Sequence, residues 1–195
     1  MTDAFSPEPV LRVDRSPGEP DGVVPDTKDW TWTLERACPD CGFDAGGLAT
    51  VDLAGLVLAL TRPWAQVLAA LDVAARPDPA TWSPLEYACH VRDVCRLFDE
   101  RTRRVLDVDG PRLANWDQDE TARVERYGEQ EPRRVAAELA AATAGWSATV
   151  AAVPADAWER PAERSNGSRF TTGSLVRYGL HDLAHHLWDV GVAAR

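Results

Sequence analysis

Histidines are the side chains of this 195-residue chain best suited to bind a metal ion. His181 and His185 stand four residues apart in a segment with helical periodicity. Four residues turn a helix by about 400° and advance it by about 6 Å, so both imidazoles project from one face. Such a pair can chelate one metal ion, as other helical His-x-x-x-His motifs do. We predict that His90, from an earlier helix, completes a site of three imidazoles.

Three neutral imidazoles leave at least one coordination position open for water or substrate, which is typical of a catalytic site. Zinc is the expected ion because it accepts three nitrogen ligands and needs no redox partner, although nickel, iron or manganese would also accept imidazole. The alternative is a histidine pair that only decorates the surface of a helix. His186 lies about 100° further round the helix than His185, so we expect it outside the site, with Asp182 as a partner.

Apolar periodicity predicts four helices that would position these residues. The predicted helices span about 51–75, 84–106, 132–153 and 173–192. Pro63 is expected to kink or break the first of them. Ser83-Pro84-Leu85-Glu86 is a capping box that starts the second, and Thr171-Thr172 is a plausible cap for the last. Since the chain shows no convincing strand alternation, the predicted fold is an all-α four-helix bundle.

An irregular N-terminal arm is predicted for residues 1–48, ahead of the bundle at 49–195. Residues 1 to about 30 are rich in Pro, Gly and Asp, as in an extended or disordered segment. Cys38-Pro39-Asp40-Cys41-Gly42 has the form of a zinc knuckle, but no second Cys-x-x-Cys pair accompanies it. It could be a metal site shared across a homodimer, a redox-active pair, or a tight turn with incidental thiols, which we favour. Trp30 and Trp32 could clamp the arm onto the bundle, line a ligand pocket or form a subunit contact.

Composition argues against several classes of partner. The net charge of −10, from 21 basic and 31 acidic side chains, provides no basic stripe for phosphates, so we expect no nucleic-acid partner. No apolar run approaches the roughly 20 residues that cross a bilayer, and the first residues lack the pattern of a secretory signal. The expected location is the cytoplasm, without membrane association, where the cysteines would be thiols or metal ligands. A small molecule is the expected substrate.

The segments that contain the histidines resemble the DinB-like superfamily. The stretch from Trp82 to Asp93 is similar to the signature of that superfamily's second helix, with Trp-Ser, a capping Glu, and His with Asp three residues on. The stretch from Leu175 to His186 resembles its closing His-x-x-x-His helix, and Asn115-Trp116-Asp117-Gln118-Asp119 and Tyr127 resemble its inter-helix region. The resemblance covers about residues 50 to 192. It implies a four-helix bundle with a three-histidine metal site.

Several members of that superfamily are thiol-dependent enzymes, including mycothiol-dependent maleylpyruvate isomerases and bacillithiol S-transferases. The resemblance therefore implies a metal-dependent S-transferase or thiol-dependent isomerase that uses a low-molecular-weight thiol and a small electrophile. The metal would lower the pKa of the thiol, and Asp93 could orient the ring of His90. Arg169 and Arg177 could hold an anionic substrate. A composition typical of GC-rich genomes favours mycothiol as the thiol.

The competing hypothesis is a metal-binding or stress-associated bundle without catalysis. An open coordination position in a pocket lined by Trp or Arg would support the enzyme. A metal sealed by a fourth protein ligand, such as a cysteine of the 38–41 turn, would support the structural role. A third hypothesis, a helical protein without metal, predicts that His181→Ala leaves metal content and folding unchanged.

Overall fold

The computed structural model describes residues 22–23 and 28–192. Most of the extended segment predicted for residues 1 to about 30 therefore lies outside the described residues. The helices are α1 (Leu53–Thr61), α2 (Trp64–Val67), α3 (Pro84–Asp107), α4 (Gln118–Val124), α5 (Pro132–Ala151) and α6 (Thr172–Asp189). The strands are β1 (Arg112–Leu113), β2 (Pro161–Arg164) and β3 (Arg169–Thr171), and short 3₁₀ turns occupy Thr31–Leu34, Thr50–Asp52 and Tyr127–Glu129.

Helices α1, α3, α5 and α6 form the bundle. α3 packs against α5 and α6, and α1 packs against the same two helices, so the four close into a ring around one core. Trp64 and Trp146 are completely buried in that core, as their places on the apolar stripes predict. Burying a Trp side chain removes about 150–250 Å² from water, worth roughly 4–6 kcal/mol at about 25 cal/mol per Å². The predicted all-α four-helix bundle is confirmed, and none of the described helices is long and apolar enough to cross a membrane.

Capping boxes start the two helices that carry the histidines. Ser83 Oγ accepts a hydrogen bond from the Glu86 amide at 3.2 Å, and Glu86 Oε2 accepts one from the Ser83 amide at 2.8 Å. Burial would raise the pKa of Glu86, but hydrogen bonds from Arg76 and Ser83 lower it overall. Thr171 and Ser174 form the equivalent box at the start of α6. These caps fix where each helix begins and hence the direction in which each histidine points.

Pro63 breaks the first predicted helix. α1 ends at Thr61 and α2 begins at Trp64, with Pro63 between them. Proline has no N–H to donate and its ring clashes with the preceding turn, so a break at this position is expected.

A small sheet was not predicted from the sequence. β1 pairs parallel to β2, and β2 pairs antiparallel to β3 across a turn at Gly167, whose φ is +93°. The strands are two to four residues long, too short to show an alternating pattern. The sheet brings the end of β2 beside the segment that follows β1, where Arg164 Nη2 donates to Asn115 Oδ1 at 2.8 Å. Both residues belong to the wall of the cavity described below.

Gly179 is required where α6 crosses α3 and α5. A Cβ atom at this position would lie 2.8 Å from Phe98 Cδ1 and 2.8 Å from Trp146 Cη2. Alanine normally stabilises a helix by up to about 1 kcal/mol relative to glycine. Here the overpacking should dominate, so we expect Gly179→Ala to lower the free energy of unfolding by about 1–3 kcal/mol, measured by urea denaturation.

Gly55→Ala is the matched control for that substitution. Gly55 lies in α1, and a Cβ atom there would meet nothing within 4 Å. We expect it to stabilise the protein by up to about 1 kcal/mol. Equal effects of the two substitutions would contradict the close packing around Gly179.

Candidate metal centre

Helix α6 carries two overlapping pairs of potential metal ligands at four-residue spacing. His181 and His185 form one pair, and Asp182 and His186 form the other. Because successive helical residues are about 100° apart, the two pairs face in different directions. Each pair meets different partners, and two separate groups of candidate ligands result.

The first group, which we call the cavity group, consists of His90, Asp182 and His186. Their ligand atoms lie within 4.8 Å of one another. Asp182 Oδ1 is 3.2 Å from His90 Nε2 and 3.4 Å from His186 Nε2. Metal–ligand bonds of about 2.0–2.1 Å place neighbouring ligand atoms roughly 3.3 Å apart in a tetrahedral site. The three side chains therefore have the spacing that one small cation requires.

His90 is completely buried between two tryptophans. Its ring stacks on Trp116, with centroids 5.3 Å apart and 13° between the planes, and it contacts Trp82 at 5.4 Å. Its Nδ1 atom has no hydrogen-bond partner in the described part of the chain. Burial lowers the pKa of His90, so the imidazole is neutral and can offer a lone pair to a cation.

His186 is oriented by a carboxylate from its own helix. Its Nδ1 lies 2.7 Å from Asp189 Oδ2, which places the ring proton on Nδ1. Its Nε2 then presents a lone pair to the Asp182 oxygen, an arrangement that is repulsive unless a cation or proton lies between the two atoms. Burial raises the pKa of Asp182, but the neighbouring His90 and His186 lower it to about 2, so the carboxylate is charged. A negative charge beside two imidazole nitrogens suits a divalent cation.

A cavity of about 570 Å³ opens beside the cavity group. Asp182 and His186 lie on its wall, together with the indole rings of Trp30 and Trp116. Small-molecule sites commonly have volumes of about 300–1,000 Å³. The remaining wall is mostly polar and consists of His181, His185, Lys28, Asp29, Asn115, Asp117, Gln118, Asp119, Arg164 and Asn166, with Tyr178. The cavity group is therefore accessible to a small polar ligand.

The second group, which we call the knuckle group, consists of Cys38, Cys41, His181 and His185. Their ligand atoms also lie within 4.8 Å of one another. Two of the three predicted ligands, His181 and His185, are in this group, whereas His90 is in the cavity group. The three predicted ligands are therefore divided between two groups. His90, on α3, faces the side of α6 that carries Asp182 and His186, and not the side that carries His181 and His185.

A comparison with family models gives a match to the DinB superfamily over residues 55–190. The chain belongs to the DinB superfamily. A comparison with curated proteins finds no match. Among solved structures, the DinB-like chain is similar to YfiT from Bacillus subtilis, with a TM-score of 0.62 and 14% identity over 74% of this chain and 87% of that one. That structure is described as "a probable metal-dependent hydrolase with an unusual four-helix bundle topology", and at this identity the likeness shows a shared fold.

Asp93 does not contact the ring of His90 in this DinB fold, contrary to the role that the resemblance implies. Its carboxylate accepts hydrogen bonds from Arg92 at 2.8 and 2.9 Å and from the Tyr127 hydroxyl at 2.6 Å, and it pairs with Arg96 at 3.0 Å. Three-residue spacing on a helix would allow a contact with His90, but the hydrogen bonds from Arg92 and Tyr127 hold this carboxylate on the Tyr127 side. The carboxylate beside His90 is that of Asp182.

The two arginines that were expected to hold a substrate do not line the cavity. Arg169 has a side chain that is 86% exposed and pairs with Glu163 at 3.6 Å. Arg177 donates from Nε and Nη2 to the Leu48 carbonyl, at 3.0 and 2.7 Å, and so fastens the arm to α6. Lys28 and Arg164 are the cationic side chains on the described cavity wall.

Asp182 and His186 are candidate ligands that the spacing of the histidines did not identify. The signal was present, because Asp182 and His186 have the same four-residue spacing as His181 and His185. Zinc binds carboxylates as well as imidazoles, so a search for mixed Asp/His pairs would have identified candidate ligands on both of these faces of α6.

Proposed function

We propose that this DinB-superfamily protein is a metal-dependent enzyme that transfers a low-molecular-weight thiol to a small electrophile. In this proposal His90, Asp182 and His186 hold a divalent cation on the wall of the cavity. The observation that carries it is the buried His90 beside a charged carboxylate and a second imidazole, all next to a cavity of about 570 Å³. In this proposal His181 and His185, which were predicted as ligands, do not bind that cation.

The donor set suits zinc, which catalytic sites often bind through two imidazoles and one carboxylate. Iron(II) also binds such a set, and nickel and manganese accept imidazole. A divalent cation at this position would lower the pKa of a thiol or of water and so provide a nucleophile at neutral pH. Trp116 covers one face of His90 and Trp82 contacts it as well, which keeps water away from this ligand.

The cavity wall supports a hydrophilic thiol of the mycothiol type. Asn115, Asp117 and Asn166 offer amide and carboxylate groups, and the indoles of Trp30 and Trp116 offer flat apolar faces. Amide and carboxylate side chains beside aromatic rings are suited to sugar hydroxyls and ring faces, which a thiol built on a sugar would present. Arg164, held by Asn115, could pair with a carboxylate of either reactant.

An S-transfer assay with mycothiol and an alkyl halide tests the proposal. In this reaction the S–C bond forms as the carbon–halide bond breaks, and the halide and the thiol proton are released. We expect the zinc-loaded protein to form the conjugate, detected by mass spectrometry, and the chelated protein to lose that activity. Bacillithiol and glutathione in parallel reactions test the selectivity for the thiol.

Hydrolysis is the second candidate function, because YfiT, which shares the fold, is described as a "probable metal-dependent hydrolase". The same cation could lower the pKa of water instead of a thiol. Ester hydrolysis without thiol, and no conjugate with it, would replace the transferase proposal with this one. If metal binds and neither reaction occurs, the protein is a metal-binding bundle without catalysis of these kinds.

A further inference from the structure

The knuckle group has the composition of a closed metal site and is built from distant parts of the chain. Cys38 Sγ lies 3.7 Å from His185 Nδ1, although the two residues are 147 positions apart. Bonds of about 2.3 Å to sulfur and about 2.0–2.1 Å to nitrogen would place these atoms roughly 3.6 Å apart in a tetrahedral site. With Cys41 and His181, the group offers two sulfur and two nitrogen ligands within 4.8 Å.

The turn at Cys38 holds both sulfurs on one side of the backbone. The Gly42 amide donates to the Cys38 carbonyl at 2.8 Å, the Cys38 amide donates to the Phe43 carbonyl at 3.0 Å, and Gly42 adopts a φ of +73°. The Phe43 amide donates a hydrogen bond to the Cys41 sulfur. Backbone amides that point at a sulfur are a feature of zinc knuckles, where they support the thiolate.

His181 is buried, and one of its ring nitrogens has no hydrogen-bond partner in the described part of the chain. It is 4% exposed, and its Nε2 atom has no partner among the described residues. A buried polar atom without a partner costs about 1–3 kcal/mol, which a bound cation would remove.

We propose that Cys38, Cys41, His181 and His185 bind a zinc ion at a second site, distinct from the cavity group. The ligands are spaced as Cys-x-x-Cys and His-x-x-x-His, which is the spacing of structural Cys₂His₂ sites. Four protein ligands close the coordination sphere, so this ion is structural and binds no substrate. The proposal does not depend on the proposed enzymatic function, because the two groups share no residue.

The second zinc ion would fasten the segment before α1 onto α6. Trp30 of this segment contacts His181 and His185, with centroids 5.6 and 5.0 Å apart, and lines the cavity. The ion would therefore hold the wall on which Trp30 lies. This assigns the Cys-x-x-Cys turn a structural role in place of the incidental turn that the sequence favoured.

Cobalt substitution in the full chain tests the site without an activity assay. Cobalt in tetrahedral thiolate sites gives a sulfur-to-metal charge-transfer band in the near ultraviolet and intense visible bands. We expect both in the wild type, together with two ions per chain in the zinc-loaded protein. We expect Cys38→Ser/Cys41→Ser to lose the band and to bind one ion per chain.

Two control variants separate this site from the cavity group. Cys89→Ala removes a buried thiol elsewhere in the core and should keep the charge-transfer band. His90→Ala should also keep the band while it loses the other ion. If the wild type has no charge-transfer band, or if the band survives in the double serine variant, the proposal is overturned. The wild-type spectrum needs no variant, so a missing charge-transfer band overturns the proposal even where a variant fails to fold.

Discussion

Asp182→Ala is expected to remove the cation from the cavity group and to lower turnover by about 10³-fold or more. The substitution leaves two neutral imidazoles and no negative charge beside a divalent ion. A catalytic metal contributes several kcal/mol to transition-state stabilisation, and about 4 kcal/mol corresponds to roughly 10³-fold in rate. Because the Asp182 side chain is 26% exposed, we expect the variant to fold, and thermal unfolding would verify it. Elemental analysis and kcat/KM for thiol transfer measure the two effects.

His181→Ala provides the contrast that separates the two assignments of ligands. If His90, His181 and His185 bound one ion, as the histidine spacing predicts, this substitution would remove the catalytic metal. With the ligands divided as in the structure, it should weaken cobalt binding at the knuckle group, which keeps three of its four ligands, and leave an ion bound to the cavity group. Loss of the cavity ion in His181→Ala and its retention in Asp182→Ala would contradict the structural assignment.

The bundle was predictable because its signals are local. The capping box at Ser83 and Glu86 depends on residues three positions apart, and the apolar stripes repeat within each helix. Pro63 breaks its helix through its own backbone chemistry. Signals of this kind need no knowledge of the tertiary fold. The observed helices differ from the predicted ones at their ends, at Pro63 and over residues 68–75, where turns replace the end of the first predicted helix.

The choice between the two faces of α6 was not predictable from periodicity. Buried apolar residues surround this helix, among them Leu175, Val176, Leu180, Leu183, Ala184 and Leu187. A helix that is buried on most sides has no polar face from which its orientation can be read. A shift of one residue turns the ligand face by about 100°, so the pairing of His90 with Asp182 depends on how α3 packs against α6.

The sequence did not indicate the partners of the Cys38 turn, because they lie far from it along the chain; Cys38 and His185 are 147 positions apart. The turn supplies two ligands, and the other two come from a helix that begins at Thr172. A structural zinc site needs four ligands, so the sequence suggested that a second cysteine pair was missing. The neighbouring candidate ligands are instead His181 and His185, which the sequence analysis had combined with His90. When the same histidine pair can satisfy two patterns, only the tertiary contacts decide between them.

Asp189 connects the two candidate metal sites, and its removal should weaken both of them. Its Oδ2 lies 2.7 Å from His186 Nδ1, and its Oδ1 lies 4.0 Å from His185 Nε2. A carboxylate that accepts the second ring proton of a ligating histidine orients the ring and makes it a stronger ligand. Asp189 therefore accepts a hydrogen bond from a residue of the cavity group and acts on a residue of the knuckle group only through its charge.

Asp189→Ala is expected to lower metal affinity at the cavity group by about 10–100-fold, the usual effect of losing such a partner. The effect at the knuckle group should be smaller, because 4.0 Å exceeds the length of a hydrogen bond. Competition with a chromophoric chelator measures the first affinity, and cobalt titration followed through the thiolate band measures the second. Asp189→Asn, which keeps an acceptor for His186 Nδ1, should recover much of the loss. Unchanged affinity at the cavity group in the alanine variant would show that His186 does not bind the ion there.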